Sequence, residues 1–336
     1  MYKEDRYRIS DIALELGLST ATVSNVINGK LNKVSRETAM RVWKLIEEKE
    51  YLPGKADILL GQNDSKIIGI FIDDHIKYEG KVLEDPFISS CVNGFVYEIE
   101  NNGYVSMLKL TDKVSDLIGF SSMWNMAGVV VIGFCEQDYN YLRNNMRIPF
   151  VVIDGDSAEG ERFCNICIDN FDGGVQAGTY FKSIGLHKAL CISDNYENVD
   201  RERIDGFRSV ISDAQIMMVP MVKEKRDVFY KENMEYLDGF DCVFCVSDYY
   251  ALEFMKLGLN KSLIGFDDVP LASMMNLSTV RQDNRLRAKV GIEKLIELIH
   301  GNDVENNIVL PVELVIRQVT HLTKIEFIFL FLWTSF

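Results

Sequence analysis

The chain lacks the basic excess that favours binding to nucleic acid. Its 336 residues carry 50 Asp and Glu against 36 Lys and Arg, a formal net charge of −14. The deficit is uneven, because residues 1–60 hold ten Lys and Arg against nine Asp and Glu. A strongly basic domain would indicate a nucleic-acid binder more directly. The near-neutral N-terminal part is nevertheless compatible with one, and the acidic remainder favours solubility without indicating a fold.

Targeting and membrane features are also missing. Residues 1–20 carry several charges and no apolar stretch with a cleavage site, so we expect no signal peptide. The longest uncharged run, 117–135, contains glycines and serines and predicts a helix end, a loop and a buried strand. The apolar tail 327–336 is too short to span a bilayer. We therefore expect a cytoplasmic protein that does not bind membranes.

Catalytic and metal-binding patterns are absent from the sequence as well. It has no nucleophile elbow, P-loop, HExxH or GxGxxG, and its four His lack metal-ligand spacing. The pairs Cys164/Cys167 and Cys242/Cys245 lie in β-type runs, where side chains three apart point to opposite faces. We expect buried, reduced thiols there rather than a zinc site. The sequence thus predicts no catalytic residue, no metal, no cofactor and no enzymatic activity.

Residues 9–28 predict two short helices joined by a tight turn. Ser10 is expected to cap the first helix and Gly17 to end it, because only Gly enters the left-handed conformation cheaply. Ser19 can cap the second helix, whose outer face is short and polar. A third helix should follow Ser35, with an inner face formed by Ala39, Val42, Trp43 and Ile46. The pattern indicates a helix-turn-helix domain of about 50 residues.

From residue 67 onward, apolar strands alternate with helices. Continuous Val/Ile runs such as 67–72, 128–133 and 149–154 indicate strands buried on both faces, hence parallel sheets covered by helices. A second cycle has strands at 188–193, 242–247 and 262–268, a helix at 227–237 and one late strand after residue 300. The two cycles predict two doubly wound lobes with a site in the crevice at the carboxyl ends of the strands.

These patterns divide the chain into four parts. We predict a helix-turn-helix head (1–54), a hinge (55–66), a two-lobe core (67–320) and a C-terminal tail (321–336). The hinge is either a simple linker or a helix that orders only on DNA. The tail is either an oligomerisation segment or an irregular chain end.

A series of motifs resembles the lactose-repressor/galactose-repressor (LacI/GalR) family of transcription regulators. The head motifs are Gly17-x-Ser19, Thr22-Val23-Ser24-x-x-Ile27-Asn28-Gly29, Val34-Ser35 and Tyr51-x-Pro53. The core motifs are Asp85-Pro86-Phe87, Asp169-Asn170 with Gly173-Gly174, Arg203-x-x-Gly206-Phe207, Gly265-Phe266-Asp267-Asp268 and Thr279-Val280-Arg281-Gln282. Each motif alone is weak, but their order and spacing over residues 9–320 are specific.

The resemblance implies a small all-α helix-turn-helix head and an α/β body of two doubly wound lobes like the periplasmic binding proteins. It implies a sequence-specific repressor controlled by a small effector, a sugar or sugar derivative, bound between the lobes. The implied partners are double-stranded operator DNA, the effector and a second copy of the chain, with a tetramer left open. The alternative is a solute-binding protein of the same core fold without gene regulation.

The residues implied to contact DNA lie on the head and hinge. Base or groove contacts are expected from Thr20, Ala21, Thr22 and Asn25, and phosphate contacts from Ser19, Ser24, Asn28 and Ser35. Leu60 is the implied minor-groove wedge. Asn25 stands where many members place a base-reading Arg, and its amide can pair with adenine. The alternative for Thr20, Ala21, Thr22 and Asn25 is a solvated helix face.

Six residues are implied to line the effector cleft. Arg203 can fork onto hydroxyls or a carboxylate, and Asp267 can accept hydrogens from sugar hydroxyls, although the two could instead form a structural ion pair. Phe87 could stack on a ring or fill the core. Phe229 could form a cleft wall, although burial of this helix residue in the core is the favoured alternative. Asp154 and Ser247 complete the set, and Ser247 replaces the Asn that usually precedes the Asp there.

Overall fold

The computed structural model describes residues 8–27, 33–49, 66–155 and 159–317. The chain divides into two compact units, Met1–Ile67 and Ile68–Phe336. All of the predicted hinge except Lys66, and the whole of the tail 321–336, lie outside the described residues.

The first unit is a three-helix head, formed by α1 (Ile9–Leu16), α2 (Thr20–Ile27) and α3 (Arg36–Glu48). Its small core contains Ile12, Ala13, Val23, Val26, Ala39, Val42, Leu45 and Ile46. Gly17 ends α1 with a left-handed φ of 66°, as predicted.

Two details of the predicted head are wrong. Ser10 lies inside α1, and the N-cap is Arg8, whose backbone N–H donates to the Asp11 carboxylate at 2.7 Å. The helix therefore begins two residues earlier than the serine suggested. Trp43 is 44% exposed, and Leu45 takes its place on the inner face of α3.

The second unit consists of alternating helices and strands. Its α-helices are α4 (Pro86–Asn101), α5 (Val114–Met123), α6 (Glu136–Asn145), α7 (Asn170–Ser183), α8 (Asn198–Val210), α9 (Lys223–Glu232), α10 (Met234–Asp238), α11 (Asp248–Met255), α12 (Pro270–Met274) and α13 (Asn284–Ile299). Short 3₁₀ turns at Ile76–Tyr78 and Val82–Glu84 connect the first strand to α4.

The strands form two six-stranded sheets. They are β1 (Ile67–Asp73), β2 (Val105–Thr111), β3 (Gly128–Ile132), β4 (Phe150–Ile153), β5 (Phe163–Ile168), β6 (Ala189–Ser193), β7 (Gln215–Met218), β8 (Cys242–Cys245), β9 (Ser262–Asp267), β10 (Ser278–Arg281), β11 (Asn307–Leu310) and β12 (Glu313–Val315). The N-terminal lobe has the order β11-β5-β4-β3-β1-β2 and the C-terminal lobe has β12-β10-β9-β8-β6-β7. This is the predicted two-lobe α/β architecture.

The central strands are buried on both faces and pair in parallel. In the N-terminal lobe Ile70 pairs with Val130 and Val130 with Val151, and all three are fully buried. Helix α13 returns to this lobe and packs on α4 and on β3, β4 and β5. Because strands covered on both faces must be apolar throughout, the continuous Val/Ile runs were a sound predictor of this arrangement.

Two element predictions in the core are wrong. The single late strand is two strands, because Pro311 interrupts it and the chain moves from one lobe to the other between β11 and β12. The helix predicted at 227–237 is also two helices, α9 and α10, which meet at Asn233.

The CxxC pairs lie in strands, within β5 and β8. Burial raises the pKa of Cys164 and of Cys242 to about 12, so both thiols stay protonated and unreactive near neutral pH. Within the described ranges, no helix is both long and apolar enough to cross a membrane.

Candidate functional site

The outward face of α2 carries the residues predicted to contact DNA. Thr20 and Ala21 are exposed, and Thr22, Ser24 and Asn25 are partly exposed, whereas Val23 and Val26 are fully buried beneath them. The buried pair fixes the rotation of the helix about its axis. The turn before α2 is closed by Ser19, whose Oγ accepts from Thr22 N at 3.1 Å.

Ser35 has a similar role at the start of α3. Its Oγ accepts from Thr38 N at 3.1 Å and so caps the helix. Asn28 and Leu60 lie outside the described residues. The head thus presents a short polar helix face whose side chains are small enough for close approach to a groove.

The carboxyl ends of the strands in both lobes carry polar residues that meet between the lobes. The chain passes between the lobes three times, at β5 to α7, at β10 to α13 and at β11 to β12. In open parallel sheets this edge is where ligands bind, because strand ends and helix N-termini converge there. The predicted effector residues fall mainly on this edge.

Arg203 and Asp267 are brought together in the C-terminal lobe. Arg203 on α8 is 6% exposed, and its Nη1 lies 3.9 Å from Asp267 Oδ1 at the end of β9. Its Nε also donates to Asn170 Oδ1 at 2.9 Å and its Nη1 to Val246 O at 2.7 Å. The guanidinium lies over Phe266, 3.8 Å from the ring centroid. Arg203 is therefore fixed from several sides before any ligand arrives.

Burial raises the pKa of Asp267 well above its ordinary range, even though Arg203 opposes the shift. Its Oδ1 accepts a hydrogen bond from Gln282 Nε2 at 2.5 Å. A buried carboxyl beside a guanidinium and an amide can accept from hydroxyl groups and orient them. This is the chemistry that a polyhydroxylated ligand requires.

Asp154 is tied to the same site through a residue that the sequence analysis missed. Arg287 on α13 is fully buried, and its Nη1 donates to Asp154 Oδ2 at 2.8 Å. Its Nη2 donates to Gln282 Oε1 at 2.7 Å. Polar contacts therefore run from the end of β4 through Arg287 and Gln282 to Asp267 in the other lobe. Among the described residues, Asp154 Oδ1 and Arg287 Nε are buried without a hydrogen-bond partner.

Two glycines allow α7 and α8 to cross closely enough to place Arg203 beside Asn170. A Cβ at Gly174 would lie 2.0 Å from Arg203 O, and one at Gly206 would lie 2.0 Å from Phe171 O. Any side chain would thus collide with backbone. The Gly-Gly and Arg-x-x-Gly motifs of the sequence are the two sides of this crossing.

Phe87 lies at the start of α4, where Asp85 caps the helix by accepting from Phe87 N and Ile88 N, each at 3.0 Å. Its ring is half-buried and lines a cavity of about 270 Å³ together with Asp267 and Gln282. This space would hold a small ligand such as a monosaccharide or a single heterocycle. Phe87 and Asp267 are the two predicted effector residues that share this cavity.

The remaining predicted residues have structural contacts. Ser247 caps α11 by accepting from Tyr250 N at 3.5 Å. Phe229 on α9 is partly buried and packs against the hydrophobic core of the lobes. The alternative for Phe229, burial in the core, therefore describes its surroundings better than a cleft wall.

The N-terminal lobe adds a group of carboxylates at its strand ends. Asp73 ends β1. Burial, and then the charges of Asp138, Asp112 and Asp74, raise the pKa of Asp73 to about 6. This side of the cleft is therefore acidic, and its carboxylates repel one another.

Known proteins resemble this chain both in its head and over nearly its whole length. Residues 8–54 match the family described as bacterial regulatory proteins, lacI family. The chain is 26% identical to the HTH-type transcriptional regulator MalR of Clostridium butyricum, covering 92% of this chain and 98% of that protein. It is 27% identical to the HTH-type transcriptional repressor PurR of Vibrio parahaemolyticus, covering 92% and 97%.

Solved structures show the fold over nearly the whole chain. The lac repressor dimer bound to operator and the anti-inducer ONPF matches with a TM-score of 0.76 at 20% identity, covering 94% of this chain and 99% of that one. The complex of the transcriptional regulator CelR with cellobiose matches with a TM-score of 0.66 at 20% identity, covering 94% and 100%. Residues 8–54 thus match the head of the lacI family, and the chain is similar over nearly its whole length to the regulators MalR and PurR and shares the fold of the lac repressor.

Proposed function

We propose that the chain is a sequence-specific DNA-binding repressor of transcription that acts in the cytoplasm as a homodimer. A small effector between the two lobes controls its binding to operator DNA. The observation that carries this proposal is the presence, in one chain, of a family head at residues 8–54 and a two-lobe core with a polar cleft. The matched relatives are named as regulators, which favours a regulatory rather than an enzymatic role.

The head reads DNA through α2. Thr20, Ala21, Thr22 and Asn25 contact base edges or the groove, and Asn25 pairs with adenine. Ser19, Ser24 and Ser35, with Asn28 beyond the described residues, contact phosphates, which position the head without specifying sequence. Leu60 is the proposed minor-groove wedge of the hinge.

The effector is a sugar or a sugar derivative. Asp267 supplies an acceptor and Phe87 an apolar face to a cavity that suits a small ligand, and Arg203 lies beside Asp267 as a donor. Structures of related fold hold cellobiose and D-xylulofuranose. Asp154 and Ser247 are proposed at the edge of the same site, and Phe229 is the weakest member of the set.

Selection of duplex DNA by the full-length chain tests the regulatory function. Enrichment of a near-palindromic sequence from a random library, with affinity that falls steeply as salt rises, is expected for the repressor. A solute-binding protein of the same fold would enrich nothing.

Asn25→Ala tests the reading face. Loss of a bidentate base contact costs about 1–3 kcal/mol, so binding to the selected site should weaken roughly tenfold and preference at one base pair should relax. Leu14→Ala is the matched control, because Leu14 is uncharged and 84% exposed on α1. Unchanged selectivity in the Asn25 variant would mean that another face reads the DNA.

A thermal-shift screen of sugars, nucleosides and phosphosugars tests the effector site. A ligand that binds only the folded chain raises its melting temperature, and Asp267→Asn should remove that rise for a sugar. The coupling must be reciprocal, so operator DNA must change the affinity for the ligand by the factor by which the ligand changes the affinity for DNA.

A further inference from the structure

The loop between β1 and α4 reaches across the cleft to the opposite lobe. Glu79 Oε1 accepts a hydrogen bond, at 3.1 Å, from the backbone N–H of Lys223, the first residue of α9. First-turn amides have no partner within their own helix, and Ser, Thr, Asn or Asp usually supplies one. The N-cap residue of α9 is Val222, whose side chain has no oxygen. The Glu79 carboxylate of the other lobe therefore caps α9 and lies at the positive end of its dipole.

The N-terminal end of α9, which donates to Glu79, is held in place by Arg226. Arg226 is 1% exposed and donates to Pro220 O at 2.7 Å, to Met221 O at 2.6 Å and to Tyr249 Oη at 2.8 Å. These bonds fix the segment that leads into α9. Burial, Glu253 and, to a smaller extent, Glu79 raise the pKa of Tyr249 to about 12, which places the Glu79 charge beside this segment.

The backbone at Glu79 and the charge of Lys77 are two further features of the loop that carries Glu79. Glu79 itself has a left-handed φ of 52°, a conformation that non-glycine residues adopt rarely and only when their surroundings enforce it. In the same loop, burial lowers the pKa of Lys77, whereas the neighbouring Tyr78 raises it. Asp194 and Asp200 of the opposite lobe raise it further.

We propose that Glu79 is a positioning residue that latches the two lobes together by capping α9 across the cleft. Opening the cleft breaks this bond and exposes the first turn of α9, so the latch sets the ratio of closed to open molecules. Its regulatory consequence rests on the proposed function, whereas the latch itself rests on the contacts alone. Loss of such a cap changes the ratio roughly fivefold, which corresponds to about 1 kcal/mol.

Hydrogen exchange of the full-length chain, without DNA or effector, tests the latch. Two segments are followed: 220–226, which contains the capped turn, and 194–200, which lies across the cleft without bonding to Glu79. In Glu79→Ala we expect exchange to accelerate roughly fivefold in both segments, because exchange follows the open population. Glu79→Gln keeps an acceptor oxygen and should change exchange less than twofold. Glu84→Ala, an exposed acid on the neighbouring 3₁₀ turn, is the matched control and should change neither segment.

Combining Glu79→Ala with Val222→Ser separates capping from latching. A serine there caps α9 from within its own lobe, so segment 220–226 should regain protection while 194–200 stays fast. Unaltered exchange at 194–200 in Glu79→Ala, or equal acceleration in Glu84→Ala, overturns the latch. Neither result would bear on DNA binding, so the latch and the proposed function can fail independently.

Discussion

The two lobes share a strand order but differ in the arrangement of their charged side chains. The orders β2-β1-β3-β4-β5-β11 and β7-β6-β8-β9-β10-β12 correspond position by position. The last strands differ, because β11 is parallel to β5 whereas β12 is antiparallel to β10. In the C-terminal lobe the buried side chains of Arg226 and Glu253 form an ion pair. The N-terminal lobe instead brings like charges together around Asp73.

This difference assigns the lobes different roles in ligand binding. Paired, hydrogen-bonded charges need little rearrangement when a ligand arrives, so the C-terminal wall is preorganised. The acidic N-terminal wall is stabilised by anything that lowers its negative charge, including protons or a donor-rich ligand. We therefore expect a break in the Arg226–Glu253 pair to act on stability and a change at Asp73 to act on the pH response.

Breaking the Arg226–Glu253 pair should give the largest effect. Arg226 Nε and Nη2 donate to the two Glu253 oxygens at 2.5 and 3.1 Å, with both side chains almost fully buried. Arg226→Met leaves a buried carboxylate without its partner and should destabilise the fold by about 4 kcal/mol in urea unfolding. The double variant with Glu253→Met should regain at least half of this loss. Equal losses in the single and double variants would show that the pair is not the source.

Breaking the Arg287–Asp154 pair should cost less. Arg287 is fully buried, but the Asp154 side chain is 17% exposed and can be partly rehydrated. Arg287→Met should therefore destabilise by about 2 kcal/mol in the same measurement. Asp154→Asn retains an acceptor for Arg287 Nη1 and serves as the conservative comparison. A loss in Arg287→Met as large as that in Arg226→Met would show that the partial exposure of Asp154 does not reduce the cost of breaking the pair.

Much of the fold was predictable because it depends on local rules. Continuous Val/Ile strands indicated both sheets, and Gly17 marked the turn of the head. The passage from β11 to β12 was not predictable, since one apolar run gives no sign that Pro311 separates strands of different lobes.

The candidate site was predicted less completely. Arg203 and Asp267 were identified from the family resemblance and lie together in the structure. Arg287 was missed, because it stands among Arg285 and Lys289 in a helix that reads as a solvated charged surface. Its partner Asp154 is 133 residues away in sequence, and only the fold brings the two together. The buried neighbours Ala288 and Ile292 were the one available sign that this face of α13 points inward.

Asp73→Asn should give the smallest effect and the clearest pH dependence. Its pKa of about 6 in the folded chain exceeds the ordinary value of 3.8, so the folded state holds its proton more tightly than the unfolded state does. The stabilisation from this group is therefore complete below pH 4 and is lost as pH rises through 6. At pH 7.5 the wild-type carboxylate opposes folding, and Asn should raise stability by about 1 kcal/mol after allowance for solvent screening. At pH 4.5 the gain should fall to about a third, because the folded wild-type side chain is mostly protonated while the unfolded one is still largely ionised. Melting temperatures at the two pH values measure this, with Asp303→Asn, a remote exposed carboxylate, as the control. A gain that is equal at both pH values would mean that Asn improves packing rather than relieving charge, and the acidic N-terminal wall would then carry no pH response through Asp73.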